Sequence, residues 1–271
     1  MRPLSLALAA NALVFAQSAL AADLPRAVPA KAPAMVVPTA TWTGFHAGLN
    51  AGYGWGSEAI GISGDPSVLT VAIPNGIVPA SIADNPKGFI GGGQIGYNHQ
   101  FGQWVLGVEA DLQWSDIKRS QTVLTAAPGG LPPFRTSDEQ KLEWLGTLRG
   151  RVGFVPAPQW LIYGTAGLAY GSVSVSGYSA LNHPVFPPCF LTYCGAASIS
   201  DTQVGWAAGA GFEFGFAHNW SVKAEYLYYD LGTTSLFMPD LLGRVPPTFQ
   251  IHTVDFKGNI ARGGVNYRFG G

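Results

Sequence analysis

Several residue sets in this chain have types and spacings that invite a chemical reading. Gly91, Gly93 and Gly96 spell the Gly-x-Gly-x-x-Gly string of a dinucleotide-binding turn. That chemistry needs a helix starting at the last glycine, so that backbone N–H groups meet a pyrophosphate. Here the string lies inside a segment of strand character, where small residues in a crowded sheet account for it. His46, His99, His183, His218 and His252 show no metal-ligand spacing, and no Gly-x-Ser-x-Gly elbow marks a nucleophile. Glu143 and Glu225 could make a carboxylate pair. Arginine and lysine share their stretches, however, so an ion-pair network is expected in place of acid–base catalysis. Tyr178, His183 and Tyr193 are residue types able to ligate haem iron. Cys189 and Cys194 lie five apart in a proline-rich stretch, too few for a metal site, and a local disulfide that stiffens a loop is expected. No catalytic residue, cofactor or metal ligand is assigned, and an enzyme is the least favoured class.

The elements that must position these residues are strands. From Trp104 the chain reads W-V-L-G-V-E-A-D-L-Q-W, with Trp104, Leu106, Val108, Ala110, Leu112 and Trp114 on one face. Glu109, Asp111 and Gln113 lie on the other, the period-2 signature of a strand with two unlike sides. The pattern recurs. Trp144, Leu148, Val152 and Phe154 oppose Glu143, Arg149 and Arg151, with Leu142 placed on the apolar face. Trp206, Phe212 and Phe216 oppose Glu213, and Trp220, Val222 and Tyr226 oppose Lys223 and Glu225. Phe45, Leu49, Tyr53 and Trp55 oppose His46 and Asn50, while Ile95 and Tyr97 oppose Gln94 and Asn98. Val265, Tyr267 and Phe269 oppose Arg262, Asn266 and Arg268, and residues 160–171 form an uncharged eighth strand.

Connections alternate in kind. Residues 101–103, 156–159 and 217–219 are tight turns, and the gaps 58–88, 118–137, 176–200 and 232–255 are long. Within the first gap, VLTVAI-PNG-IVPASI is expected to form a hairpin that extends the barrel above the membrane, the less favoured alternative being two added strands. Its arms of about six residues fall short of the 9–11 needed to span a bilayer.

Composition decides between a soluble fold and a membrane fold. Only 11% of the 271 residues are charged and 36 are glycine, while aromatics reach 12%. An ordinary soluble domain carries roughly 25% charged residues. The net charge of −1 leaves no electrostatic footprint for nucleic acid. The 20 prolines argue against a helical bundle, and the glycines lack the period of collagen. All eight tryptophans (Trp42, Trp55, Trp104, Trp114, Trp144, Trp160, Trp206, Trp220) fall at or just beyond strand ends. Aromatic pairs recur ten apart on one face, as in Trp104 and Trp114 or Trp206 and Phe216. Ten residues span about 33 Å, or about 25 Å along a tilted barrel axis, the height of a lipid-facing band between aromatic girdles. The expected fold is all-β, an eight-stranded antiparallel up-and-down transmembrane barrel with short periplasmic turns and long extracellular loops.

The other face then lines the lumen. Its charges are Glu109, Asp111, Glu143, Glu213 and Glu225 against Arg149, Arg151, Lys223, Arg262 and Arg268, which sum to zero. Eight strands leave an interior just wide enough for side chains, so a neutral polar plug is expected, with inward glycines making room. Three domains are assigned. Residues 1–22 read as a signal peptide, with Arg2, an apolar core at 4–15 and an Ala-Leu-Ala site. Residues 23–41 read as an Ala/Pro linker and 42–271 as the barrel.

Five stretches together, WTGFHAGLNAGYGWG at 42–56, residues 88–115, WLGTLRGRVGFVP at 144–156, WSVKAEYLYYDLG at 220–232 and RGGVNYRF at 262–269, resemble the small outer-membrane β-barrel proteins of the porin/opacity type of α-proteobacteria. The resemblance implies outer-membrane residence and a structural role in envelope integrity and surface interaction. A narrow passive channel, or binding of a ligand such as haem or of a host surface through the loops, are the alternatives. It also implies an assembly signal in the last strand, matched by Arg262, Gly264, Tyr267 and Phe269, although Gly270 and Gly271 follow the usual terminal Phe. The implied partners are outer-membrane lipid, lipopolysaccharide and the barrel-assembly machinery, with no nucleic acid and a monomer as the expected state.

Overall fold

A computed structural model describes residues 41–269, apart from 57, 127–129, 131, 184–186, 188, 190–192 and 244–246 and the side chains of 58 and 84. The signal peptide, all but the last residue of the linker, and Gly270 and Gly271 lie outside the described residues.

Among the described residues ten strands form one sheet: β1 (Gly44–Trp55), β2 (Glu58–Gly64), β3 (Ser81–Asp84), β4 (Lys87–Phe101), β5 (Trp104–Thr125), β6 (Phe134–Ala157), β7 (Trp160–Leu181), β8 (Gly195–Ala217), β9 (Trp220–Pro239) and β10 (Phe249–Phe269). Eight of them, β1-β4-β5-β6-β7-β8-β9-β10, close into an antiparallel ring because β10 also pairs with β1, from Phe45 opposite Phe269 to Trp55 opposite Asn259. Ring closure leaves no sheet edge at this level, the condition for backbone polar groups in a lipid environment. At one end, β4–β5, β6–β7 and β8–β9 are joined by two-residue turns, as the sequence leads one to expect. The first of them holds Gly102 at φ +62°, a backbone conformation that suits glycine.

Alternation places the aromatic-bearing face outward. Trp55, Trp104, Trp114, Trp160, Trp206 and Trp220 are all exposed, together with Leu49, Ile95, Val108, Leu112, Leu148, Ile162 and Leu168 between the two aromatic belts. Trp42 is the exception, turned inward at the end of the ring.

Beyond the upper belt the structure departs from the expected long loops. β5 to β10 run on for several further residues, so the connections shrink to 126–133, 182–194 and 240–248. The sequence hid this because the extensions change phase or lose contrast. In β6 a register irregularity between Leu142 and Trp144 shifts the inward positions from odd to even numbers. Leu142 is therefore buried and Glu143 turns out, the reverse of the expected assignment. In β9 the same happens at Leu231–Gly232, opposite the Asp255/Lys257 irregularity of β10, with Gly232 at φ +82°.

The 58–88 segment does form a hairpin, but not from the expected arms. β2 and β3 pair with each other, and β2 adds to β10 at residues 250–253. VLTVA at Val68–Ala72 is a π-helical turn between them. Above Trp206 opposite Asp230, β8 parts from β9 until the Gly195–Asp240 bridge at the far end. β8 continues against β7, and β9 continues against β10. The ring thus opens into two facing sheets with an apolar core between them, which includes Ile60, Ile82, Phe134, Val175, Leu236 and Met238. A Cβ at Gly177 of β7 would lie 2.7 Å from the sulfur of Met238 on β9, which shows how closely the sheets approach.

Candidate functional site

Inside the girdled half, register brings opposite charges together. Glu109 on β5 sits opposite Arg149 on β6, Glu213 on β8 opposite Lys223 on β9, and Glu225 on β9 opposite Arg262 on β10. Cross-strand pairs of this kind are the local unit of sheet stabilisation. In a ring this narrow they also reach across the lumen.

Arg149 is the hub. Its Nη2 donates to Glu109 at 2.9 Å and to Asp111 at 2.8 Å, its Nη1 to Glu225 at 2.9 Å and its Nε to Thr147 at 2.8 Å. Arg262 donates to Glu225 at 2.7 Å and to Asp111 at 2.9 Å. Lys223 donates to Glu109 at 2.9 Å. Arg151 donates to Glu213 at 2.7 Å and lies 3.5 Å from the centre of the Tyr163 ring. All eight of these charged residues are at most 4% exposed. Four acids face four bases, so the cluster is neutral and its heads are bonded to one another.

A polar layer of amides and one imidazole lies beside it, toward β1 and β4. Asn50 donates to Gln94, Gln94 to Asn266 and Asn266 to Glu213 at 3.0 Å, while His46 sits 3.3 Å from Glu109. Sequence reasoning placed these four residues on the lumen face without assigning them to the site. Their inward parity was the available signal. Glycines make the space: a Cβ at Gly96 would fall 2.6 Å from the His46 ring, and one at Gly48 would fall 2.1 Å from Asn266 Oδ1.

Two expected members are elsewhere. Glu143 is turned out by the β6 irregularity, is 42% exposed and pairs with Lys141 at 3.6 Å. It is not part of the lumen cluster. Arg268 faces inward but sits at the turn end, donating to the Thr41 carbonyl over the Trp42 indole. The distance from the last ion pair, not its phase, separates it from the hub.

The remaining candidates fall at the two ends. Gly264, Tyr267 and Phe269 occupy the turn-end half of β10, with Tyr267 and Phe269 outward and packed ring to ring at 5.0 Å. Cys189 and Cys194 are joined in a disulfide at the tip. Tyr193 beside it is buried, and its phenol donates to the Met238 carbonyl at 2.7 Å, which commits it to the core and not to a ligand outside. Burial pushes that phenol's pKa up. Among the described residues no cluster of His, Cys, Asp and Glu is arranged to hold a metal ion.

A closed antiparallel ring, apolar and aromatic-girdled outside and charged within, defines a β-barrel of the bacterial outer membrane. A family model described as outer membrane protein beta-barrel domain matches residues 7–269, and the chain belongs to that family. It is 36% identical over 266 residues to the 31 kDa outer-membrane immunogenic protein of Brucella melitensis, covering 98% of this chain and 99% of that one. It is 38% identical over 141 residues to the 22 kDa outer membrane protein of Rhizobium leguminosarum bv. viciae, covering 51% and 52% respectively. Among solved structures, the outer membrane protein OprG from Pseudomonas aeruginosa aligns with TM-score 0.45 and 11% identity, over 86% of this chain and 99% of that one. The chain is an outer-membrane protein.

Proposed function

We propose that this chain is a structural barrel of the envelope whose girdled half is plugged by its own side chains and whose tip is displayed on the cell surface. The observation that carries the reading is the neutral Glu109–Asp111–Arg149–Lys223–Glu225–Arg262 cluster, buried across the lumen. A solute passing through would have to break several charge-assisted hydrogen bonds at once, each among the stronger bonds proteins make. The two-residue turns are assigned to the periplasm and the two-sheet tip to the outside. The naming of the Brucella relatives as immunogenic supports surface exposure of the tip. Residues 1–22 serve export and 23–41 tether the barrel on the periplasmic side. Lipid and lipopolysaccharide contact the outer face of a monomer, and Arg262, Gly264, Tyr267 and Phe269 present the last strand to the assembly machinery.

Planar-bilayer recording of the refolded full chain tests the plug. The expected record is flat, with no stable conductance steps. Reproducible steps of uniform size would establish an open lumen and replace the structural reading with that of a narrow channel.

A further inference from the structure

The tip contains a cavity of about 170 Å³. Its floor is apolar and buried, formed by Val68, Val78, Phe134 and Leu181 with the Tyr193 ring. Its rim is open: Ser67 is exposed, and Ile77 and Thr248 are half-buried. One polar side chain enters the wall. Gln250 is fully buried, and its carboxamide oxygen lies 3.1 Å from His252 Nε2, while the other ring nitrogen of His252 meets Asp138 at 2.5 Å. That chain of contacts fixes the carboxamide, and Gln250 Nε2 is left without a hydrogen-bond partner. A buried amide group in an apolar wall is costly to leave unmatched.

We propose that this cavity is a binding site for a small, uncharged, largely apolar molecule that carries a hydroxyl group, such as a simple phenol or a short-chain alcohol. The size follows from the volume, since a dry apolar cavity of about 150 Å³ admits benzene. A single ring or a chain of about six to eight carbons fills the space. The hydroxyl follows from Gln250: its unmatched Nε2–H₂ is a donor, and a hydroxyl oxygen accepts from it. Neutrality follows from the surroundings. Asp65 stands beside the rim, bonded to Ser67 and to the Phe249 N–H at 2.9 Å, and Asp138 stands behind His252. The Asp65 carboxylate opposes an anionic ligand, and the apolar floor would strip a cation of its water without supplying a bond in return. The site is independent of the lumen cluster, which lies in the girdled half, and so does not depend on whether the barrel conducts.

The test is a ¹⁹F NMR titration of the refolded full chain in detergent micelles with 4-fluorophenol, fluorobenzene and 4-fluorobenzoate. Micelle partitioning is non-saturable and indifferent to substitutions in the tip, which separates it from binding. The expected result is saturable binding of 4-fluorophenol, about tenfold tighter than fluorobenzene, with no saturable binding of the benzoate. Ala72→Leu, which fills the cavity, is expected to weaken 4-fluorophenol at least tenfold. Ile77→Phe does the same from a second position, at the half-buried rim on the edge of the core, and the urea midpoint of each variant separates a lost cavity from a folding defect. Gln250→Met keeps the volume and is expected to remove the preference for the phenol over fluorobenzene. Uptake that does not saturate, that is unchanged in both filled variants, or that treats the phenol and fluorobenzene alike in the parent chain, overturns the proposal.

Discussion

The girdled half and the tip of this molecule are built from the same strands with their polarity exchanged. In the girdled half, Leu112, Leu148 and Leu168 point out, while Glu109, Arg149 and Arg262 are buried. Further along the same ladders, Leu236, Met238 and Val175 are buried, and Arg135, Glu139 and Lys118 face solvent. The medium outside sets the arrangement in each case. Hydrocarbon supplies no hydrophobic drive for the girdled half, so its interior is held by charge-assisted bonds that would be costly to leave unpaired. Water surrounds the tip, so burial of apolar area holds it in the ordinary way. The exchange is not gradual. β6 and β9 each reverse their inward parity at one irregularity, at Glu143 and at Gly232, which lets one strand serve two solvents.

The largest effects are expected from charge removal in the girdled half. Arg149→Met deletes the partner of three buried carboxylates while roughly keeping volume. Breaking a buried pair from one side costs about 3–5 kcal/mol. The expected outcome is a marked drop in the urea midpoint of the refolded barrel and in the fraction of heat-modifiable species on gels. An unchanged midpoint would mean that the cluster carries little of the barrel's stability.

The matching change in the tip is Leu236→Ala. Truncation of a buried Leu costs about 2–5 kcal/mol, and here the loss should stay local. Faster amide exchange is expected in β9 and β10 beyond Gly232, with heat-modifiability and exchange below Trp206 as in the parent. Equal destabilisation of both halves would show that the tip and the barrel unfold as one unit.

How far the sequence could be read follows the same division. The girdled half was legible because lipid outside and ions inside give strict alternation: every strand of the ring, the short turns and nine of the ten expected lumen charges are where their phase placed them. Glu143 was misplaced because a single extra residue in β6 reverses parity, and nothing in LEWLG marks it. The tip was read as loop because its strands lack contrast. In β5 the segment KRSQTVLT has no apolar–polar alternation, and its residues alternate only between exposed and half-buried. VLTVA looked like a strand arm because its residues are β-branched and apolar, but Val68 alone is buried and the turn is fixed by Asp65 and by neighbouring strands. Pairing with β10, distant in sequence, decides that region, and local pattern does not record it.

A smaller effect is expected at the parity switch itself. Gly232 has φ +82° with open space around its missing side chain, so substitution meets backbone strain and not a clash. Gly232→Val should cost about 1–2 kcal/mol, the penalty for a left-handed conformation in an L-residue. Amide exchange on either side of the bulge is the measurement. Loss of protection from Thr233 onward, with β9 below it intact, is expected. A neutral substitution would show that the switch tolerates other bulge geometries.

The smallest effect is a pH dependence confined to the tip. Burial works to raise the pKa of Asp65, but hydrogen bonds from the Ser67 hydroxyl and from the Phe249, Ser67 and Val68 amides outweigh it, and the carboxyl lies below its ordinary value. A group whose folded pKa is depressed stabilises the fold above its unfolded pKa, near 3.9, and loses that contribution as pH falls through the folded value. Asp65 ties the start of β10 to the π-helical turn, so acid should loosen that junction by on the order of 1 kcal/mol. Pepsin nicking rates of the parent and of Asp65→Asn, compared as a ratio from pH 4.5 down to pH 2, remove the protease's own pH profile. The variant is expected to be nicked faster at the upper end, with the two rates converging as Asp65 becomes protonated. A ratio that stays flat across the range would place the acid sensitivity of the tip in other groups.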